Sequence, residues 1–307
     1  MSLTRKATIV PLMPVAWDLE SAARIPVFEE RGLFVENVQG LLTAKHLELW
    51  REYLSDNQRK FTTRIRIGLV HRFESSGHVG REEEASKTLV EGAAACLQIL
   101  RPTRSRSQLI QLRFSEDSSV DVFRFTHPRE NPPNVPQSDI VNTIRPIDIG
   151  KLRVVLPMFL NLPKDGPGNV FRAVKNFLLA YSEIDEPFAQ VLVWMAGIES
   201  MLWTQTGDQV ADRRKKLLET IDPTWNVYED SATEEFTRVE VKIGDIVDDL
   251  FDFRNRLVHG GWVPEEWQRR KGRQAVSGVV EYSEMLREAS AAILRKLIVD
   301  WLDQQTT

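Results

Sequence analysis

The chain has 307 residues, 42% of them apolar and 27% charged, and carries a formal net charge of −4. That length holds one large or two ordinary domains, and the composition suits packed cores rather than a disordered or fibrous chain. A single cysteine, Cys96, excludes an internal disulfide, and five scattered histidines beside it give no zinc-ligand spacing.

The opening stretch MSLTRKATIVPLMP lacks the long apolar core of a secretory signal. The most apolar window, Phe188–Trp203, is interrupted by Gln190 and Glu199 and is too short to span a bilayer. Together with one cysteine, this leads to the expectation of a cytoplasmic protein without membrane attachment. Charge is unevenly shared: residues 1–164 carry 23 Lys+Arg against 19 Asp+Glu, and residues 165–307 carry 17 against 25. Non-specific nucleic-acid affinity comes from phosphate neutralisation, so any such contact by the acidic half has to rely on local clusters.

Residues 1–127 read as an α+β domain of unknown role. Strands are expected at Ala7–Leu12, Gly32–Val38, Phe61–Arg72, Ser107–Phe114 and Ser119–Thr126, the last two flanking a hairpin turn at SEDSS. Helices are expected at Thr43–Leu54, with Thr43 as N-cap, and at Glu82–Leu100, which stops before Pro102. Residues 128–165 read as a linker. Pro128 to Pro146 holds five prolines and little periodicity, and Gly150–Leu162 follows as a short adaptor helix bent at Pro157. The turn LPKDGPGN has two glycines but no Gly-Lys-Ser/Thr after them, so it is not a phosphate loop.

Residues 166–307 read as an all-α antiparallel bundle. The expected helices are Val170–Tyr181, Pro187–Thr204, Gln209–Thr220, Thr233–Val258 and Ser277–Leu302, joined by short connections. The fourth ends in IGDIVDDLFDFRNRLVHGG. Its apolar residues Ile243, Ile246, Leu250, Phe253 and Leu257 mark one helical face, and Gly260–Gly261 supply the stop. Arg254, Asn255 and His259 lie between stripe and stop, in the last turn, where the helix dipole is negative. On a wheel centred on Leu250, Arg254 lies about 40° away, whereas Asp248, Asp252, Asn255 and His259 fall on the opposite side, at about 140–200°. This pattern suits either a site or an ordinary solvated helix ending.

Arg254 to His259, RNRLVH, resembles the Arg-(four to six residues)-His signature of the HEPN superfamily (higher eukaryotes and prokaryotes nucleotide-binding), commonly Arg-Asn-x-x-x-His. Arg66–His71, with four residues between, and Arg72–His78, with five, also fit, but neither has Asn after the Arg, and RIRIGLV alternates like a strand. The Gly pair after His259 and the earlier apolar helix WMAGIESMLW with its internal Glu199 are similar to the Apea-like branch. The resemblance covers about residues 166–304. It implies a HEPN-like bundle and a homodimer through the helix bearing Arg254–His259, with the two Arg/His pairs meeting across the two-fold axis.

The resemblance also implies metal-independent RNA cleavage without a cofactor. The ribose 2′-OH attacks the adjacent phosphorus and leaves a 2′,3′-cyclic phosphate, so RNA is the substrate and DNA is refused. His259 suits acid/base work, Arg254 offers a charged fork for the phosphorane oxygens, and Asn255 orients the imidazole or holds a phosphate oxygen. Glu199, the lone acid in an apolar helix, should pair with Arg254 if buried, or else stand as an N-cap or rim carboxylate in water. Arg213–Lys216 and the group Trp262, Trp267, Arg269, Arg270, Lys271 and Arg273 are basic clusters, and the second suits stacking on unpaired RNA bases. A defence or toxin-like role against phage follows by resemblance. The alternative is a non-catalytic HEPN dimer acting as an interaction, nucleotide-binding or sensor module, and beyond that a bundle in which the motif is coincidental.

Overall fold

Strand β1 (Thr4–Pro11) runs through the middle of an antiparallel sheet, with the side chains from Lys6 to Val10 buried. The computed structural model describes residues 4–12, 16–17, 24–38, 67–75, 81–101, 110–114, 120–125, 143–144, 146–164, 169–182, 184, 186–202, 210–228, 240–260, 271–275 and 278–306. The described residues up to Asn161 form one unit, and those from Leu162 onward form another.

In the first unit the other strands are β2 (Ala16–Trp17), β3 (Ile25–Phe28), β4 (Leu33–Asn37), β5 (Ile67–Ser75), β6 (Ile110–Phe114), β7 (Val120–Phe125) and β8 (Thr143–Ile144). The main sheet has the order β3-β4-β5-β1-β6-β7 with antiparallel neighbours, while β2 and β8 form a short parallel pair. Helix α1 (Arg81–Leu100) packs on the sheet with Leu89, Val90, Ala93, Leu97 and Ile99 buried. Its acidic first turn, Glu82–Glu84, sits where the helix dipole favours negative charge, and Glu83 takes the buried Lys6 ammonium of β1 as its partner. Cys96 is fully buried, and burial pushes its thiol pKa up, as fits a small hydrophobe rather than a nucleophile.

The strand–helix pattern of this unit follows the alternation in the sequence, except at the two-residue strands β2 and β8, at strand β3 and at the start of the next helix. Strand β3 escapes a pattern reading because it is four residues long and contains Pro26. A proline is tolerated there because β3 is an edge strand, where a ladder donor is dispensable. Helix α2 (Pro146–Leu160) begins four residues before the expected Gly150, with proline in the first turn, where a missing N–H costs nothing. It buries Ile149, Leu152, Val155, Leu156 and Phe159 and sits against α1 and β3, with Arg153 donating to the Pro26 carbonyl. The expected helix Thr43–Leu54 and the start of the strand expected from Phe61 lie outside the described residues.

The second unit contains α3 (Val170–Ser182), α4 (Pro187–Leu202), α5 (Val210–Thr220), α6 (Ile243–Val258) and α7 (Tyr282–Thr306). Helix α4 is its centre: Val191, Trp194, Met195, Ile198 and Leu202 are buried, and α3, α5, α6 and α7 all contact it. Gly197 allows the closest approach, because a Cβ there would lie 2.5 Å from Leu294 Cδ2 of α7. The buried Gln190 is satisfied on both ends, donating to the Ala180 and Ile184 carbonyls and accepting from Arg287.

Three expectations need correction here. The unit is not all-α, since β9 (Lys271–Ala275) and β10 (Gly278–Glu281) form an antiparallel ribbon. The last helix therefore starts at Tyr282 rather than Ser277; Val279 and Val280 are β-branched and follow a glycine, a sequence better suited to a strand. Helix α6 starts at Ile243, not Thr233, because Glu240–Lys242 is non-helical and Lys242 bridges Asn226. The Trp225 and Pro223 carbonyls then accept from the N–H groups of Ile243 and Gly244, which fills two of the donors that a helix start leaves open. Among the described residues, no helix is long and apolar enough to cross a membrane.

Candidate functional site

Helix α6 buries Ile243, Ile246, Val247, Leu250, Phe251 and Phe253, a broader stripe than the sequence pattern marks, while Leu257 is only half-buried. Phe253 meets Phe188 of α4 edge-on at 6.0 Å between ring centroids, which fixes the rotation of α6 about its axis. The helix ends at His259, whose N–H donates to the Asn255 carbonyl at 3.1 Å. Gly260 follows with φ of 67°, the left-handed conformation that stops a helix at low cost to glycine.

With that rotation set, Arg254 turns inward and His259 outward. Arg254 Nη2 lies 3.3 Å from Glu199 Oε2, and its Nη1 donates to Asn255 Oδ1 at 3.1 Å. Glu199 is 9% exposed, so of the two readings left open by the sequence, the paired interior carboxylate is the one observed. Its other oxygen, Oε1, is 3.1 Å from Arg213 Nη1 of α5. One carboxylate of α4 thus binds a guanidinium from each of two neighbouring helices.

Arg213 is the site residue that sequence reasoning missed. Its run, RRKK, reads as a surface charge cluster, yet Arg213 stands one helical turn before the fully buried Leu217 and so shares its inward face. The rest of the cluster is also engaged within the fold: Arg214 pairs with Asp248 at 3.0 Å and Lys215 with Glu219.

The outward row forms as the wheel places it. Asp248, Asn255 and His259 are exposed or half-exposed, and Asp252 pairs with Arg256 at 2.8 Å along the helix. Val258, just before His259 in the chain, is 51% exposed and lies about 100° round the helix from it, so it flanks that face rather than lying on it. Of the second basic cluster, Trp262, Trp267, Arg269 and Arg270 lie outside the described residues. Lys271 and Arg273 are on β9, opposite Glu281 and Val280 of β10. Among the described residues, no group of three or more His, Cys, Asp or Glu gathers to hold a metal.

The competing Arg-x4-His match ends differently. His71 lies on β5, stacks on Phe73 at 5.4 Å and shares a hydrogen bond with Ser86 of α1, which in turn bonds to Thr8 of β1. Burial holds its pKa below that of a free imidazole, partly offset by a hydrogen bond to the Arg31 backbone. That imidazole is part of the packing between sheet and helix.

Comparison with known proteins adds no relative: no protein-family model matches the chain, and neither does any curated protein or solved structure.

Proposed function

We propose that the second unit is a HEPN-type endoribonuclease that works without a metal, as a homodimer through the outer face of α6. The observation that carries this reading is the arrangement around Arg254. A motif arginine is held by a buried carboxylate on one side and by its neighbouring Asn255 on the other, one turn before an exposed histidine at the helix end. Arg254 keeps further N–H donors beyond those two bonds, and a planar guanidinium suits the oxygens of a phosphorane.

The proposed chemistry uses the RNA's own nucleophile. A neutral imidazole at His259 accepts the proton of the 2′-OH as the O2′–P bond forms, and Arg254 stabilises the charge on the non-bridging oxygens. The P–O5′ bond breaks, and the leaving oxygen takes a proton from the imidazolium of the second copy. The products are a 2′,3′-cyclic phosphate and a 5′-OH.

The dimer reading is supported by charge. A face bearing Asp248 and Asp252 would repel its own copy, but Arg214 and Arg256 already neutralise those acids within one chain. By the same resemblance, a defence or toxin-like role is proposed, with the first unit as sensor or regulator. A non-catalytic sensor dimer is the second reading; the exposed position of His259, with no ring partner among the described residues, favours it. Incubating the purified full chain and its His259→Ala variant with single-stranded RNA in excess EDTA separates the two. Cleavage by the first and not by the second is the expected result, and intact RNA with both sinks the enzymatic reading.

A further inference from the structure

We infer that Arg213 is a positioning residue for Arg254, acting through Glu199. The inference rests on the reading above, in which Arg254 meets the RNA phosphate.

The last torsion of a glutamate is soft, so a carboxylate held at one oxygen by one guanidinium can swing. Here both oxygens are held, Oε1 by Arg213 at 3.1 Å and Oε2 by Arg254 at 3.3 Å. Because the two oxygens belong to one rigid plane, fixing Oε1 also fixes the point to which Arg254 is tied. The other bond of Arg254 goes to Asn255, on its own helix, and cannot set its position relative to α4 or α5. Among the described residues, Glu199 is the only hydrogen-bond anchor of Arg254 outside α6.

The two guanidiniums also differ in exposure. The Glu199 side chain is 11% exposed, that of Arg213 18% and that of Arg254 26%. The more open guanidinium is the one suited to meeting a ligand, and the more enclosed one to holding the carboxylate. Arg213 is carried inward by α5, whose Leu217 is fully buried on the same face, and the adjacent Arg214 reaches Asp248 on α6. Neighbouring arginines therefore tie α5 to both α4 and α6, and a shift of α5 would be passed to Arg254 through a single carboxylate.

A residue that acts through another has no effect once the other is gone, and this distinguishes positioning from direct contact. In the cleavage assay, Arg213→Ala should lower kcat by about tenfold to a hundredfold, with KM changed by no more than about twofold. Arg213→Lys should recover part of the loss by returning the charge without the fork. The Arg213→Ala/Arg254→Ala double variant should be no slower than Arg254→Ala alone. A double variant slower than Arg254→Ala by the full effect of Arg213→Ala would overturn the inference.

A second arm does not depend on activity. In the full chain with 15N-labelled arginine, the guanidinium signal of Arg254, assigned by its loss in Arg254→Lys, should shift or broaden in Arg213→Ala. It should recover in part in Arg213→Lys and stay in place in Lys215→Ala, which removes an exposed cation from the same helix. An Arg254 signal unmoved by Arg213→Ala would overturn the inference even if the RNA is cleaved. A protein that fails to cleave RNA but shows the expected shifts would keep the linkage and remove the ribonuclease reading. If Arg213→Ala unfolds, Arg213→Lys and Arg213→Gln carry the same comparison.

Discussion

Glu199 on α4 and Arg254 on α6 are 3.3 Å apart, and the carboxylate is almost wholly buried. The consequence is asymmetric. Removing Glu199 leaves two guanidiniums facing each other in a partly enclosed space, whereas removing Arg254 leaves Glu199 still paired to Arg213. Glu199→Ala should cost about 3 kcal/mol of stability and Arg254→Ala about 1 kcal/mol, the second discounted for its partial exposure. Urea denaturation of the two variants checks the order; equal losses, or a larger loss from Arg254→Ala, would contradict it.

The outer face of α6 predicts association. Val258 is exposed on its flank, and the acids of that face are neutralised within the chain. Sedimentation at about tens of micromolar should show a dimer, and Val258→Asp should shift the population towards monomer by adding an unpaired charge. A wild-type monomer at that concentration would count against the face as a two-fold contact.

His71 gives a pH dependence that belongs to the first unit. The groups around it are the Ser86 hydroxyl, which also bonds to Thr8, the Arg31 backbone and the Phe73 ring. Its folded pKa lies below the free value of 6.5, so in the interval between the two, unfolded chains bind a proton that folded chains do not. Its contribution is therefore complete above about pH 6.5 and is lost as the pH falls towards the folded value. The thermal midpoint should fall more between about pH 7.5 and pH 5.5 for wild type than for His71→Gln. Parallel profiles would show that the imidazole titrates alike in both states.

Much of the second unit can be read from its sequence because its helices obey one period. The Ile243–Leu250–Phe253 stripe fixes which way α6 turns, and the lone acid of WMAGIESMLW could be matched to Arg254 from that rotation alone. What escaped has separate causes. The start of α6 is set by backbone pairing with Trp225–Val227, which no local pattern announces. The VVE strand of β10 was absorbed into the following helix because its apolar residues extend the helical face. Arg213 was hidden by its charged neighbours; its spacing to Leu217, four residues on, is the signal that places it inside. The resemblance at Arg254–His259 supplied the chemistry, and no comparison with a known protein supports it independently.

The most direct test of that chemistry removes a single oxygen atom from the substrate. An RNA with one preferred cleavage site is compared with the same strand carrying 2′-deoxy at the scissile nucleotide only, both in excess EDTA, with the product ends identified by mass. If Arg254 and His259 act on the RNA's own hydroxyl, the all-ribose strand is cut to a 2′,3′-cyclic phosphate and a 5′-OH, and the substituted strand stays intact at that position. Cleavage of the 2′-deoxy position at a comparable rate, or activity that disappears with EDTA, would contradict the account.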